Sequence, residues 1–505
     1  MILRPYQDEC VQGIAKGFQA NFRRQLAVLP TGGGKTIVFA AVANRFLTKR
    51  NERTLVLAHR EELIEQAADK IFKSTGIEAE VEKAERRASQ HASVVVASIQ
   101  TMQGQRLEGW PRDHFGLLVA DEAHHSLANQ WQTTLNYFDS RILGVTATPD
   151  RGDKRKLSEF YDNVAYECTI LDLIRAGFLS PVMVRAVPLK IDLSKVKQIG
   201  DDLDAGQLGD AIEPYVDTIA EYLAKECSDR KIAVFLPLVE TSKKFVAACE
   251  RAGISARHID GSSPDRKEIL SDYTEGKFQL ISNAMLLTEG WDEPSVDCVV
   301  ILRPTKSRSL FAQMVGRGTR LSPGKENLLL LDFLWLHEKH NLAKPASLVA
   351  SSEAEEESIT EAILLHEERD LTEATDAAEM EREAALIREL TENAAKKARY
   401  MPIESVAALL KDTKMREYEP TFGWEKSPAT AAQKKCLERF HIKCPVSKGE
   451  ASMLMGRLFD RSKSKLASVG QLLWLHRLGH PSPATATQKE AKAFLDAKWG
   501  KKTKV

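Results

Sequence analysis

Leu29-Pro30-Thr31-Gly32-Gly33-Gly34-Lys35-Thr36 is the stretch from which the fold of this 505-residue chain is read. An apolar, strand-like run from Leu26 to Leu29 precedes it, and an apolar run that suits a helix, Ile37 to Phe46, follows. Strand, glycine loop closing on Lys-Thr, then helix is the setting in which a loop can cradle phosphate. Glycines let the backbone curl until its N–H groups point at phosphate oxygens, and a helix starting near Lys35 adds the positive end of its dipole. In such a loop Lys35 reaches the β and γ phosphates and the Thr36 hydroxyl sits on Mg²⁺. The common pattern has glycine where this chain has Leu29, so the octet alone also suits an ordinary glycine turn.

Working outward, short runs rich in Val, Leu and Ile recur at Thr54–Ala58, Ser93–Ala97, Leu117–Ala120 and Ile142–Val145, with helical stretches between them. Buried parallel strands read this way, and the alternation predicts an open α/β sheet whose ligands lie at the carboxyl ends of its strands. A second alternation, with apolar runs at Ile232–Leu236, Phe278–Ile281, Val296–Leu302 and Leu328–Leu331, predicts a second sheet. The expected domains are 1–185, a linker or hinge at 186–214, 215–340, an acidic helical connector at 341–425, and a basic helical region at 426–505. Ile170 to Gly177 reads as a short helix with a glycine stop.

The chain has equal numbers of acids and bases, 71 of each, but they are unevenly placed. Residues 351–395 carry 15 acids and 3 bases, whereas residues 426–505 carry 17 bases and 5 acids. The basic region has the electrostatic footprint of a nucleic-acid binder. It also contains a weak repeat, in which Thr430, Gln433, Leu437 and Arg439 align with Ser468, Gln471, Leu475 and Arg477. Two helix-loop-helix units are expected there, neither able to bury its apolar face alone. No run approaches the roughly 18 apolar residues of a membrane span. The N-terminal residues lack a signal-peptide pattern. Seven scattered cysteines without Cys-x-x-Cys point to a reducing compartment. A cytoplasmic, nucleoid-associated protein is expected, with no membrane and no zinc; the trio Cys436, His441 and Cys444 suits core or surface better than a metal site.

Four stretches carry chemistry. Asp121-Glu122 at the end of a strand can divide labour, with Asp121 holding Mg²⁺ and Glu122 activating water, although an acidic turn looks the same. Thr146-Ala147-Thr148-Pro149 ends the next strand. Thr288-Glu289-Gly290-Trp291-Asp292 and Gln313-Met-Val-Gly316-Arg317-Gly318-Thr319-Arg320 follow in the second half. Arginines from a second domain stabilise charge on a transferring phosphoryl group, though surface ion pairing would also account for them.

In this order, together with Gln7, Ala58-His-Arg60-Glu-Glu-Leu and Ser98-Ile-Gln-Thr101, these stretches resemble the motif set of the superfamily 2, DEAH-type helicases and translocases. Within it, Leu3-Arg-Pro-Tyr-Gln, Leu143-Gly-Val-Thr-Ala-Thr-Pro and Val315-Gly-Arg-Gly are similar to the RadD-like branch of DNA-repair ATPases, over about residues 1–335. The resemblance implies two tandem RecA-like domains and ATP hydrolysis with Mg²⁺. It implies that Gln7 reads adenine, that residues 29–36 bind phosphate, and that Thr36 and Asp121 hold the metal. Glu122 then activates water, and His124 bonds toward Gln313 across the cleft. Arg317 and Arg320 become the arginine fingers, Gly290 and Asp292 contact the nucleotide, and Arg60, Thr101 and Thr288 lie along nucleic acid. The tail faintly resembles a SAP-type DNA-binding module. The function expected is an ATP-dependent helicase or translocase on single-stranded or branched DNA, with a possible protein partner through 341–505. The alternatives are an RNA helicase, a duplex translocase that does not unwind, and a non-catalytic scaffold.

Overall fold

The computed structural model describes residues 2–59, 61–147, 157–187, 189, 191–200, 202–284, 286–287, 291–333, 342–350, 352–366, 368–393, 403–416, 418–440, 442–443, 445 and 447–499. Met1–Thr375 and Asp376–Val505 form two compact units.

The first unit holds two parallel sheets. In the first lobe, β1 (Arg24–Val28), β2 (Arg53–Ala58), β3 (Ala79–Glu82), β4 (Val94–Ser98), β5 (Phe115–Asp121), β6 (Arg141–Thr146) and β7 (Asn163–Glu167) are ordered β3-β4-β2-β5-β6-β1-β7. All neighbours are parallel. The central strands β2, β4, β5 and β6 are buried almost throughout, which is why they read as continuous apolar runs rather than alternating ones. The order places the carboxyl ends of β5, β6 and β1 side by side, with Asp121 paired to Val145 and Thr146 paired to Val28. The acidic pair, Thr146 and the phosphate loop therefore share one edge of the sheet.

The second sheet comprises β8 (Val182–Val187), β11 (Ile232–Leu236), β12 (Ala256–Ile259), β13 (Leu280–Ala284), β14 (Cys298–Ile301), β15 (Leu328–Phe333) and β16 (Glu368–Asp370). Its order is β12-β13-β11-β14-β15-β8-β16. Only β16 runs antiparallel. A small hairpin, β9 (Gln198–Ile199) with β10 (Asp202–Leu203), stands apart from it.

Two expected boundaries change. The strand at 182–187 pairs with β15, so the second lobe begins some thirty residues before the apolar alternation at 215. The stretch 186–214 is not a hinge. Ile191, Leu193, Val196, Leu203, Leu208 and Ile212 are buried in the second lobe's core, and Ala205–Ile212 is a helix capped by Asp204. Isolated apolar residues among Asp and Gly looked like a linker, yet each fills one site of a shared core. The acidic connector also divides. Glu356 is buried, pairs with Arg308 and accepts from Ser347 Oγ at 2.9 Å; Glu368 accepts from Arg185 Nε at 2.7 Å. These acids are structural partners of the second lobe and are not freely solvated.

The Asp376–Val505 unit is helical and has its own core, including Leu437, Leu454, Leu458, Leu472 and Leu475. Among the described residues no helix is long and apolar enough to cross a membrane.

Candidate nucleotide site

The chain leaves β1 at Leu29, whose N–H donates to Thr146 O at 3.0 Å and whose side chain is fully buried. Leu29 thus anchors the loop from the core, and its side chain does not face a ligand. The loop turns through Gly32 (φ 84°) and Gly34 (φ 76°), a left-handed backbone that L residues rarely adopt. Gly34 is the N-cap of the helix Lys35–Arg50, so the first N–H groups of that helix open onto the loop. A Cβ on Gly34 would stand 2.5 Å from Gln7 Nε2.

Behind the loop, the helix Pro5–Gln19 supplies two residues that hold it. Tyr6 Oη donates to Gly33 O at 2.9 Å, and Gln7 Nε2 lies 3.5 Å from the same carbonyl. Gln7 Oε1 accepts from Arg4 N at 3.0 Å, capping its own helix. Tyr6 packs on Phe178 with ring centroids 5.1 Å apart, and the Arg4 guanidinium lies 5.4 Å from the Phe178 ring.

At the end of β5, Lys35 Nζ pairs with Glu122 Oε1 at 3.1 Å. Asp121 is buried, and burial first, then the adjoining Glu122 charge, raise its carboxyl to about 6, against the opposing pull of Lys35. Glu122 takes φ 52°, a strained left-handed conformation for a non-glycine residue. His124 Nδ1 lies 3.5 Å from Glu122 Oε2 and 3.4 Å from Thr146 Oγ1, bridging the acidic turn to the end of β6. Gln313 is buried in the helix Arg308–Val315 of the second lobe.

The second lobe meets the loop through the turn 316–320. A Cβ placed on Gly316 would be 2.4 Å from Thr31 Cβ, and one on Gly32 would be 3.5 Å from Thr319 Oγ1 and 3.7 Å from Arg320 Cγ. Arg317 Nη1 donates to Trp291 O at 2.6 Å, and Arg320 Nη1 pairs with Asp292 Oδ1 at 3.0 Å. Asp292 also takes Lys70 of the first lobe at 3.2 Å. Burial pushes the Asp292 carboxyl up, but Arg320 and Lys70 overcome it and hold it below its ordinary value. Burial also lowers Arg320.

Not every expected residue is among those described. Arg60, Thr288 and Gly290 lie outside the described residues, as do Thr148, Pro149, His441 and Cys444. The Thr101 hydroxyl accepts from Ala84 N at 3.2 Å. Three residues that shape the site are absent from the expected set. Lys325 Nζ donates into a ring of carbonyls, Val296 O at 2.5 Å, Arg320 O at 2.9 Å, Pro294 O at 3.3 Å and Gly318 O, tying the arginine turn to the loop after Asp292. Asp202 accepts from Thr305 Oγ1 at 2.8 Å and Lys306 N at 2.9 Å, fixing the loop that enters the arginine helix. Lys70 is the third. Only Lys325 left a local signal, a lone Lys in a Pro-Gly-Lys turn after the arginines.

The residues fit a nucleotide. Three consecutive glycines form a cradle, Thr31 Oγ1 is buried without a hydrogen-bond partner among the described residues, and cations from both lobes converge on one edge. Two parallel α/β lobes, a phosphate loop on one and paired arginines on the other, define a tandem RecA-like P-loop architecture. Residues 1–151 match the family model of the type III restriction enzyme res subunit, and residues 215–322 match the helicase conserved C-terminal domain. IRC3 of Saccharomyces cerevisiae, an ATP-dependent helicase by name, is 31% identical over 66% of this chain and 51% of its own length. The mitochondrial irc3 of Schizosaccharomyces pombe is 33% identical over 66% of this chain and 57% of its own. The chain thus spans about half the length of these curated relatives. Among solved structures, the type ISP restriction-modification enzyme LlaBIII bound to DNA aligns with 99% of this chain and 42% of its own, at TM-score 0.56 and 14% identity. Residues 1–151 and 215–322 thus match the two halves of a superfamily 2 helicase.

Proposed function

We propose that this chain is an ATP-dependent helicase or translocase acting on DNA. The observation that carries the reading is the seat of the Gly316–Arg320 turn on the phosphate loop, because it brings Arg317 and Arg320 to the edge that holds Lys35, Asp121 and Glu122. ATP with Mg²⁺ supplies the transferable phosphoryl group, with Thr36 and Asp121 as the protein oxygens for the metal.

In this reading Lys35 exchanges Glu122 for phosphate oxygens, and that exchange releases the Glu122 carboxylate to take a proton from the attacking water. Arg317 and Arg320 exchange the Trp291 carbonyl and Asp292 for the charge that develops as the phosphoryl group leaves. Catalysis is then positioning and charge stabilisation, completed when both lobes contribute. Tyr6 and Gln7 feel the loop through Gly33 O, so they report its state to the helix beneath an adenine. His124 bonds toward Gln313 across the cleft and so couples the two lobes. Nucleic acid runs past Arg60, Thr101 and Thr288, contacted through phosphate and sugar.

DNA is preferred because a relative at 25% identity is an endonuclease subunit of the type I restriction enzyme EcoAI. The RadD-like placement and a cytoplasmic, nucleoid-associated location go with the same reading. ATPase rates with single-stranded DNA, duplex DNA and no DNA test it. Stimulation by DNA, and its loss in Lys35→Ala, are expected. Equal rates in all three, or an active Lys35→Ala, would sink it, and stronger stimulation by RNA would move the substrate to RNA.

A further inference from the structure

The repeat read from the tail sequence is a repeat in three dimensions. Thr430 and Gln433 exchange side-chain and backbone hydrogen bonds at the start of one helix, and Ser468 and Gln471 make the same exchange in the second copy. Ser447 with Glu450, and Thr487 with Glu490, cap the partner helices alike. Pro428 bridges Ser447 in the first unit, and Leu466 bridges Thr487 in the second. Leu437 and Leu475 are fully buried at matching places.

The exposed residues that recur on this duplicated scaffold are informative. Arg439 stands to Thr430 as Arg477 stands to Ser468, and both are exposed. Among the described residues from 426 to 499, only Arg457 has an acidic partner, Asp412 at 2.6 Å. Among the described residues the tail's cations thus mostly lack acidic partners, and like charges held this close favour a polyanion.

A second feature separates kinds of polyanion. The Met1–Thr375 unit exposes one large aromatic among its described residues, Phe72, whereas the smaller C-terminal unit exposes Trp424, Phe440, Phe459 and Trp474. Trp474 is 39% exposed, and the Arg477 guanidinium lies over its ring, 4.9 Å from the centroid, as a base-stacked arginine would. A duplex offers its phosphates but hides the faces of its bases. Partly exposed aromatic rings among cations that lack acidic partners serve unpaired bases, which stack on them without regard to sequence.

We propose that the C-terminal unit grips single-stranded nucleic acid, with Arg439 and Arg477 as equivalent phosphate contacts and Trp474 as a base-stacking platform. This grip stands independently of the motor's activity and supplies a strand contact outside the two lobes.

The test uses the full chain with a labelled oligo-dT strand and a blunt duplex of equal length. Trp474→Ala weakens binding to oligo-dT by about 5- to 100-fold, leaves duplex binding unchanged, and Trp474→Phe restores most of the loss. Arg439→Gln and Arg477→Gln each reduce the slope of log K on log salt by about 0.7 for the single strand, and the double variant by about twice that. ATPase turnover without nucleic acid stays at the parent rate in all of them, and unchanged duplex binding by Trp474→Ala together with recovery in Trp474→Phe shows that the mutated unit is folded. Equal loss on strand and duplex makes the tail a general phosphate binder and overturns the proposal. So does an unchanged salt slope in both arginine variants. Failure of the motor reading is visible separately, as absent turnover in a parent chain that still binds oligo-dT.

Discussion

Gly316→Ala isolates the contact between the lobes. Gly316 has helical backbone angles (φ −60°, ψ −14°), so alanine brings no backbone strain, and a Gly-to-Ala change there removes conformational freedom from the unfolded chain. The new methyl meets Thr31, at 2.4 Å from Cβ and 2.6 Å from Cγ2, and the Ala312 carbonyl oxygen of its own helix at 2.9 Å. Ordinary contact begins at 3.4 Å, so turn and loop must separate by about 1 Å. A displacement of about 1 Å between a positioned group and the reacting atoms costs on the order of 10²-fold in rate, or about 2.7 kcal/mol of barrier. Thermal stability should fall by about 1–3 kcal/mol, because outward movement of the turn relieves the Thr31 contact but not the one with Ala312 O in the same helix. The assay is steady-state ATP hydrolysis with saturating single-stranded DNA, alongside nucleotide affinity measured with the DNA absent. A fall in kcat with affinity within a few-fold of the parent fits a loss of arginine placement. Thr31→Gly in the same chain should recover part of the rate. A Gly316→Ala protein with parental kcat refutes the reasoning: the arginines would then not work from this seat.

Three further outcomes follow from contacts in the site. Glu122→Gln should keep nucleotide binding and lower kcat by at least about 10²-fold, since the amide cannot accept the proton of water; equilibrium binding and single-turnover hydrolysis separate the two. Lys325→Met should lower kcat by about 10-fold through a loosened arginine turn. Burial brings the Lys325 ammonium down to about 8, from an ordinary 10.5, with Asp297 opposing and Arg320 and Arg230 adding to the shift. Above pH 8 the folded chain has shed a proton that the unfolded chain keeps until about 10.5, so this residue's stability contribution rises with pH across that window. Activity should fall over the same interval, giving parent and Lys325→Met activity profiles that converge at alkaline pH while their stability difference drifts. Lys70→Ala removes a partly exposed partner of Asp292, and its effect on stability should stay within about 1 kcal/mol, read by denaturant unfolding at two salt concentrations.

The motor's central strands and its loop were legible because each is a local pattern. A buried parallel strand is a short apolar run, and Gly34-Lys35-Thr36 at the start of a helix is a contiguous signature. Asp121 and Glu122 were visible for the same reason, as polar residues ending an apolar run. What escaped notice was tertiary. β8 follows the first lobe in the chain but hydrogen-bonds in the second, and nothing local to Val182–Val187 says which sheet will take it. Asp202 looked like hinge composition and turned out to hold Thr305 and Lys306 from a hundred residues away. The carbonyl ring around Lys325 is invisible in sequence because backbone oxygens carry no residue identity. Leu29 broke the loop pattern for a related reason: its place is set by the core beneath the loop, and only its N–H serves the turn.

The short strand β16 has a consequence for anyone dividing the chain. It lies antiparallel along β8, and without it β8 would be the outer strand of the second sheet. An apolar parallel strand left open on one side is a template for pairing with another chain. Fragments that stop after the last strand of the helicase pattern, near residue 340, discard this cover along with the Arg308–Glu356 and Arg185–Glu368 pairs. Such fragments should self-associate through β8, whereas one ending at Thr375 should remain monomeric. The practical unit of the motor is thus set by a three-residue seal that belongs to the acidic segment.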